Sequence, residues 1–524
     1  MYGNDSHNTS EIPMVQRIDV EMEHTLAEYA TDVVLRESVR EMQDAVTDDV
    51  AALEGRTVWM VNSTASGGGV AEMMPKLLGI FRTLGVDAEW AVIDVDEPGF
   101  FEFTKDVHNL LHGTGDPEIV DRERALYERA SRSVADDLAD RLSPEDVLVV
   151  HDPQPLAAGA KVAGELGLPA VWRCHIGSER QTEKSRAAWE FLQPWVRDYD
   201  RTIFSLPAYV PEFLRDDATI VPPAIDPFSA KNERLKPQEV AGILARAELV
   251  ATDHPTEPFD EPARRLQADG TFAPATEPAD LGLLFRPVVC QISRWDSLKG
   301  FVPLLRGFAR LKREVRSVDD ASADVGGTNE REGGATNGGE WANGTARTDA
   351  HRRRIEDARL VLAGPDPSSV ADDPEGQAAL EAIEEAWHSL DPSIRRDVAV
   401  VVMPSDRHDS ALVINALQRC ATVVAQNSLR EGFGLTVTEA MWKRAVLMGS
   451  DTGGIGAQIR DGEDGRLVPD AADPGSVAET LDAVFGAPDR WDEWSHSAQR
   501  RVADNYLVFE QVTRWLDVLG ALAR

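Results

Sequence analysis

Short apolar strand patterns alternate with helical patterns twice along this chain, and that alternation restricts it to parallel α/β sheets. In the first half Thr57–Val61, Ala88–Ile93, Asp146–Val150, Ala170–Arg173, Arg201–Phe204 and Thr219–Val221 read as strands. Helical periodicity fills the gaps at Val70–Leu84, Phe100–Leu111, Glu118–Arg141, Leu156–Leu166 and Ser185–Val196. Pro222-Pro223 ends this series. The second series runs through Val288–Ile292, Leu360–Ala363, Val398–Val402, Thr422–Ala425 and Ala445–Met448, again with helices between. A chain of 524 residues has room for two such domains. The predicted layout is an acidic leader and helix over 1–55, an α/β domain over 56–240, a linker or insertion over 241–285, a second α/β domain over 286–505 and a C-terminal helix over 506–524. Residues 316–350 are rich in Gly, Asn, Asp and Thr and nearly free of apolar residues, so a disordered surface insertion is expected there. Two domains of this kind predict a cleft between the carboxyl ends of their sheets, where ligands bind.

Composition excludes several functions. The chain carries 54 basic and 90 acidic residues, a formal charge of −36, and only 9 of the basic ones are Lys. This balance argues against nucleic acid and against anionic membranes as partners. Anionic substrates must then be met by a few local cations. An acid-rich, Lys-poor surface fits a halophilic protein, whose self-repulsion concentrated salt would screen; a merely acidic cytosolic protein is the alternative. Cys174, Cys290 and Cys420 have no metal-type spacing, and no apolar run is long enough to span a membrane. With a polar start lacking a signal segment, a cytoplasmic location is expected.

The densest chemistry lies in Ser428-Leu-Arg-Glu-Gly-Phe-Gly-Leu-Thr-Val-Thr-Glu-Ala-Met. Glu431 precedes a Gly432-Phe433-Gly434 turn, and a helix opens at Leu435 and carries Glu439. A Gly turn exposes N–H groups, and the helix start adds a positive dipole end, which suits the diphosphate of a nucleotide sugar. One carboxylate can take sugar hydroxyls and the other ribose hydroxyls. Two solvated glutamates on an ordinary strand–turn–helix are the alternative. Arg294 and Lys299 leave the first strand of the second domain, and two cations in one loop could neutralise a departing diphosphate.

The first domain has its own candidates. Gly67-Gly68-Gly69 joins a strand to a helix but fits neither a dinucleotide fingerprint nor a phosphate loop. His151, Asp152 and Gln154 end one strand and His175 another, and such groups can hydrogen-bond sugar hydroxyls. Phe101, Lys105, His108 and Asn109 share a helical face that could line the same pocket or simply pack. Asp451-Thr-Gly453-Gly454-Ile-Gly456 is a further Gly-rich turn, and Asn415-Ala-Leu-Gln418-Arg419 either supports a base pocket or caps a helix end. No metal-ligand pattern appears, so no catalytic metal held by protein ligands is indicated.

Glu431 with Glu439, Arg294 with Lys299, and Gly67–Gly69 resemble the retaining family-4 glycosyltransferases of GT-B fold, with two Rossmann-like domains facing a central cleft. The runs Val61–Met73, Phe101-Glu-Phe-Thr-Lys, His151-Asp-Pro-Gln-Pro, Trp172-Arg-Cys-His-Ile, Pro222-Pro-Ala-Ile-Asp-Pro and Asn415-Ala-Leu-Gln-Arg are similar to the trehalose glycosyltransferring synthases. Trehalose phosphorylases share much of the pattern. Gly177 departs from it where some relatives carry an acidic residue.

The resemblance implies a retaining glucosyltransferase that forms trehalose from NDP-glucose and glucose, reversibly. Glu439 would hold the ribose, Glu431 the donor hexose, and Arg294 and Lys299 the diphosphate, with N–H groups over Gly432–Leu435. Acceptor glucose would bind near Gly67, Gly68, Gly69, His151, Asp152, His175, Lys105 and Asn109. No tightly bound cofactor is expected. Mg2+ is allowed for as a stimulator paired with the diphosphate, and a homodimer as an assembly. Sugars and nucleotide sugars are the partners. The rival readings are a trehalose phosphorylase, a nucleotide-sugar epimerase and a non-catalytic sugar or nucleotide sensor.

Overall fold

The β-branched runs form strands as their composition predicts, and the computed structural model gathers them into two sheets. It describes residues 14–66, 69–116, 118–253, 256–274, 281–325, 347–367 and 374–524. The chain divides into two units, one ending at Ala224 but regaining Asn505–Arg524, the other Ile225–Asp504.

Unit 1 contains β1 Val15–Ile18, β2 Thr57–Asn62, β3 Asp87–Ile93, β4 Val147–His151, β5 Ala170–Cys174, β6 Arg201–Phe204 and β7 Ala218–Ile220. Their order is β1-β3-β2-β4-β5-β6-β7, parallel except for the edge strand β1. Every residue of β4 and β5 is buried, as expected of strands covered by helices on both faces. The chain leaves β2 toward β3 on one side and later places β4 on the other. The carboxyl ends of β2 and β4 therefore flank the switch point, where a doubly wound sheet leaves a crevice.

Unit 2 contains β8 Arg264–Leu266, β9 Phe272–Pro274, β10 Val288–Ile292, β11 Arg359–Gly364, β12 Val398–Val402, β13 Val423–Gln426, β14 Val446–Ser450 and β15 Arg466–Val468. Their order is β15-β14-β13-β10-β11-β12-β8-β9, with β8 and β9 antiparallel at the edge. Here the switch point lies between β10 and β13. Its core is the apolar face of the Phe301–Val325 and Pro474–Gly486 helices, with Phe308, Leu304, Leu481 and Phe485 buried against the sheet.

Several segments that composition sets apart belong to these units. Of the 1–55 leader, β1 pairs with β3, and Leu35, Val39 and Met42 of helix Val33–Ala45 are buried. The terminal helix Val508–Ala523 is part of unit 1, with Phe509 edge-on to Tyr29 at 5.2 Å and Arg524 bonded to Asp49 at 2.9 Å. The expected linker over 241–285 instead supplies β8 and β9, and unit 2 begins at Ile225 rather than near 240 or 286. Strands of three residues, Arg-Arg-Leu and Phe-Ala-Pro, leave no apolar alternation to read.

The expected insertion over 316–350 is helical at both ends, to Val325 on one side and from Asp349 on the other; 326–346 lies outside the described residues. Charged groups tie the segments flanking this stretch together. Lys312, with a fully buried side chain, donates to Ile355 O and Ala358 O at 3.1 Å and pairs with Asp397 at 2.8 Å. Arg316 and Arg359 reach the same Asp397 at 3.0 and 2.8 Å. No helix among the described residues is long and apolar enough to cross a membrane.

Candidate active site

The loops after β10 and β13 bring the strongest sequence candidates of unit 2 together. Lys299 ends a short turn after β10, and its Nζ donates to Glu431 Oε1 and Oε2, both at 2.8 Å. Ser428 Oγ donates to Glu431 Oε2 at 2.9 Å. The two loops are stitched by Gln291, buried at the end of β10. Its Nε2 donates to Lys299 O at 2.7 Å, and its Oε1 accepts from Asn427 N at 2.9 Å. Leu429 N donates to Leu298 O at 2.7 Å. Gly300 is required here: its φ is +64°, and a Cβ would lie 2.0 Å from Asn427 O. A cation and a carboxylate from separate strands are thus fixed at one switch point by buried amides.

The Glu431 turn continues into helix Leu435–Trp442 through Gly434, whose φ of +81° only Gly adopts without strain. The N-cap position of this helix, Gly434, supplies no side-chain cap. Its first amides therefore present the positive end of the dipole beside Glu431. The Asp451–Gly456 motif is scaffold for this turn. Gly454 N donates to Gly432 O at 2.8 Å, and Gln458 Nε2 donates to Phe433 O at 2.6 Å. Glu439 lies in the same helix and is 8% exposed. Arg294 stands apart from this cluster. Its side chain is 68% exposed and approaches Asp296 at 4.0 Å.

In unit 1 the ends of β4 and β5 bring His151, Asp152 and His175 together. His151 Nδ1 and His175 Nε2 are 3.0 Å apart, the rings nearly parallel, and His151 Nε2 lies 3.2 Å from Met60 Sδ. Asp152 adopts φ +64°, a strained conformation for a residue with a side chain. It is held there by Asp152 N donating to Arg173 O at 2.8 Å, His175 N to Asp152 Oδ1 at 2.8 Å and Trp172 Nε1 to Asp152 O at 3.0 Å. Burial pushes the Asp152 carboxyl up to about 6, against the pull of the His175 amide and the Arg173 charge. Burial, then the Arg173 charge, pushes His151 down to about 3, and His175 well down by the same causes. At neutral pH the pocket therefore presents one carboxylate acceptor and two uncharged imidazoles.

The other acceptor candidates are less assembled. Gly69 opens its helix with open space where a Cβ would stand; Gly67 and Gly68 lie outside the described residues. Helix Phe100–Leu111 buries Phe103, Thr104, Val107 and Leu110, which leaves Lys105 exposed and Asn109 half-buried on the other face. Gly177 is filled over by the Tyr209 ring, whose Cγ would lie 2.2 Å from a Cβ there. Sequence reasoning did not find Trp515, buried 6.0 Å from His151, because nothing in a terminal helix signals which strand end it covers. Ser428 could have been found, since it stands one helical turn's spacing before Glu431.

Comparison with known proteins fits this geometry. Residues 60–211 match the family described as trehalose synthase, N-terminal domain, and residues 349–501 match glycosyl transferases group 1. A trehalose synthase of Pyrococcus horikoshii is 32% identical over 481 residues, which is 91% of this chain and 92% of that protein. A trehalose phosphorylase of Grifola frondosa is 24% identical, over 87% of this chain and 56% of that protein. The solved structure of a UDP-forming trehalose-phosphate synthase from Burkholderia xenovorans shares the fold. Its TM-score is 0.59 at 18% identity, over 90% of this chain and 98% of that chain. With two parallel-sheet units of GT-B type and this near full-length identity, the chain belongs to the trehalose synthase family of glycosyltransferases.

Proposed function

We propose that the protein is a retaining glucosyltransferase that makes trehalose from NDP-glucose and glucose, reversibly. The observation that carries this reading is the Lys299–Glu431 pair beside the helix start at Leu435. A donor diphosphate placed at that helix start meets the Lys299 ammonium and the amides over Gly432–Leu435. Glu431 then takes hydroxyls of the hexose, and Glu439 those of the ribose. Arg294, exposed near this turn, is proposed to join the diphosphate as a second cation. On unit 1, Asp152 accepts from an acceptor hydroxyl, and the neutral His151 and His175 orient around it. Transfer proceeds on one face of the sugar, with the leaving phosphate oxygen taking the acceptor proton. Rate then comes from positioning and from charge stabilisation by Lys299. Mg2+ would add to that stabilisation by pairing with the diphosphate.

A second reading, phosphorolysis of trehalose to glucose 1-phosphate and glucose, is supported by the Grifola frondosa likeness and by the same cation serving phosphate. One incubation separates the two. Trehalose is offered with ADP, UDP, GDP or inorganic phosphate in KCl buffer, and products are read by NMR. NDP-glucose and glucose from one nucleotide support the synthase and name its base. Glucose 1-phosphate from phosphate alone supports the phosphorylase. Neither product from folded protein overturns both.

A further inference from the structure

Of the nine lysines in this chain, Lys443 is placed where an ammonium is costly. It follows helix Leu435–Trp442 and is 8% exposed. Its Nζ donates to Gln418 Oε1 at 2.7 Å, Asn232 Oδ1 at 3.0 Å and Glu439 O at 3.2 Å. The orientation of both amides is set by their other bonds. Gln418 Nε2 donates to Thr436 O at 3.3 Å, and Asn232 Nδ2 to Asp226 O at 3.1 Å and Ser229 Oγ at 3.0 Å. Three acceptor oxygens require three N–H groups, which only the protonated amine has. Burial pushes Lys443 down to about 7, with Arg419 and Lys231 pushing the same way and the Glu439 carboxylate opposing. The three oxygens hold the third proton in place.

The network reaches both ends of the eight-residue helix that carries Glu439, at Thr436 O in its first turn and Glu439 O in its last. It also grips the start of unit 2. Asn415 Nδ2 donates to Ala230 O and Glu233 O at 3.0 and 2.9 Å, and Arg419 Nη2 to Glu233 O at 2.8 Å. Asn415 and Arg419, read from sequence as base-pocket or cap residues, clamp the segment that carries Asn232.

We propose that Lys443 is a positioning residue for donor binding, whose buried ammonium ties the helix of Glu439 to Gln418 and Asn232 so that the Glu439 carboxylate is held in place for ribose hydroxyls. This rests on the donor reading above, in which Glu439 takes the ribose. The Lys443 ammonium itself touches no substrate.

The test is calorimetric binding of ADP, UDP or GDP, whichever binds the wild type most tightly, against its 2′,3′-dideoxy form. Wild type is expected to prefer the ribose form by about tenfold or more, the size of a charge-assisted hydrogen bond. In Lys443→Met that ratio should collapse to roughly two- to threefold, with affinity for the dideoxy form largely kept. A merely structural role would weaken both ligands alike and leave the ratio intact, which overturns the inference. Lack of any ribose preference in the wild type overturns the donor reading and this inference together. Should Lys443→Met not fold, Asn232→Ala removes one of the three acceptors. An intermediate ratio then supports the role, and an unchanged ratio rejects it.

Discussion

Replacing Lys299 by Met keeps side-chain length and removes the charge at the centre of the proposed donor site. The ammonium touches both oxygens of Glu431 at 2.8 Å, and the two side chains are only 14% and 11% exposed. A pair this dry exceeds the ~0–1 kcal/mol of an exposed ion pair and falls short of a fully buried one, so its loss should cost about 1–3 kcal/mol of stability. Turnover should suffer more. In the proposed reaction charge builds on the leaving diphosphate, and losing one preorganised stabiliser lowers kcat on the order of 10²–10³-fold, or about 3–4 kcal/mol. The assay is steady-state trehalose cleavage with the preferred nucleotide, on variants shown to be folded by thermal melting. Glu431→Gln and the double variant complete a cycle. Because the two side chains share one contact, the double variant should fall well short of the summed single effects. A folded Lys299→Met protein with near wild-type kcat would refute the assignment of this ammonium to the leaving group.

Asp152→Asn should raise the glucose KM by about tenfold or more with little change in donor KM, because it removes a charged acceptor held beside His175; an equal rise in both would refute an acceptor role. Burial pushes His108 down to about 4, with His112 and Lys105 adding to it, so its folded pKa lies below the ordinary 6.5. The sign follows: the stability it contributes is complete above ~6.5 and is lost as pH falls toward 4. Wild type should therefore lose about 1–3 kcal/mol more than His108→Asn between neutral and acid pH, and parallel melting curves would refute this. Lys312→Met should cost about 2–4 kcal/mol in denaturant unfolding, since three carbonyls and Asp397 lose their donor, whereas replacing 326–346 by a short Gly-Ser link should leave melting and turnover close to wild type. Melting temperature should rise with KCl as the Debye length shortens from about 10 Å at 0.1 M to about 3 Å at 1 M; a fall would argue against a salt-adapted surface.

Much of the site was legible because strand ends and Gly turns are local signals. Glu431, its turn and the Leu435 helix start are consecutive in sequence. His151 and Asp152 directly end a buried strand, and Lys299 stands out in a chain so poor in lysine. The two α/β series could be read because buried parallel strands are runs of Val, Ile, Leu and Ala. Strands β1, β8 and β9 escaped notice because strands of three or four residues need no such run, and β1 and β8 pair with partners far away in sequence.

What the chain determined by itself was thus a pair of parallel sheets and the motifs at their carboxyl ends, since hydrophobic period and turn chemistry act over a few residues. The tertiary structure alone decided that Lys299 closes on Glu431, that Arg294 stands clear of it, that Trp515 covers His151 and that Lys443 is buried behind Glu439. The Lys299 and Trp515 contacts, and the Asn232 and Gln418 contacts that bury Lys443, join residues distant in sequence. Their distances depend on strand order at the switch point and on which helix packs over it, and those follow from burial of the whole sheet rather than from any local pattern.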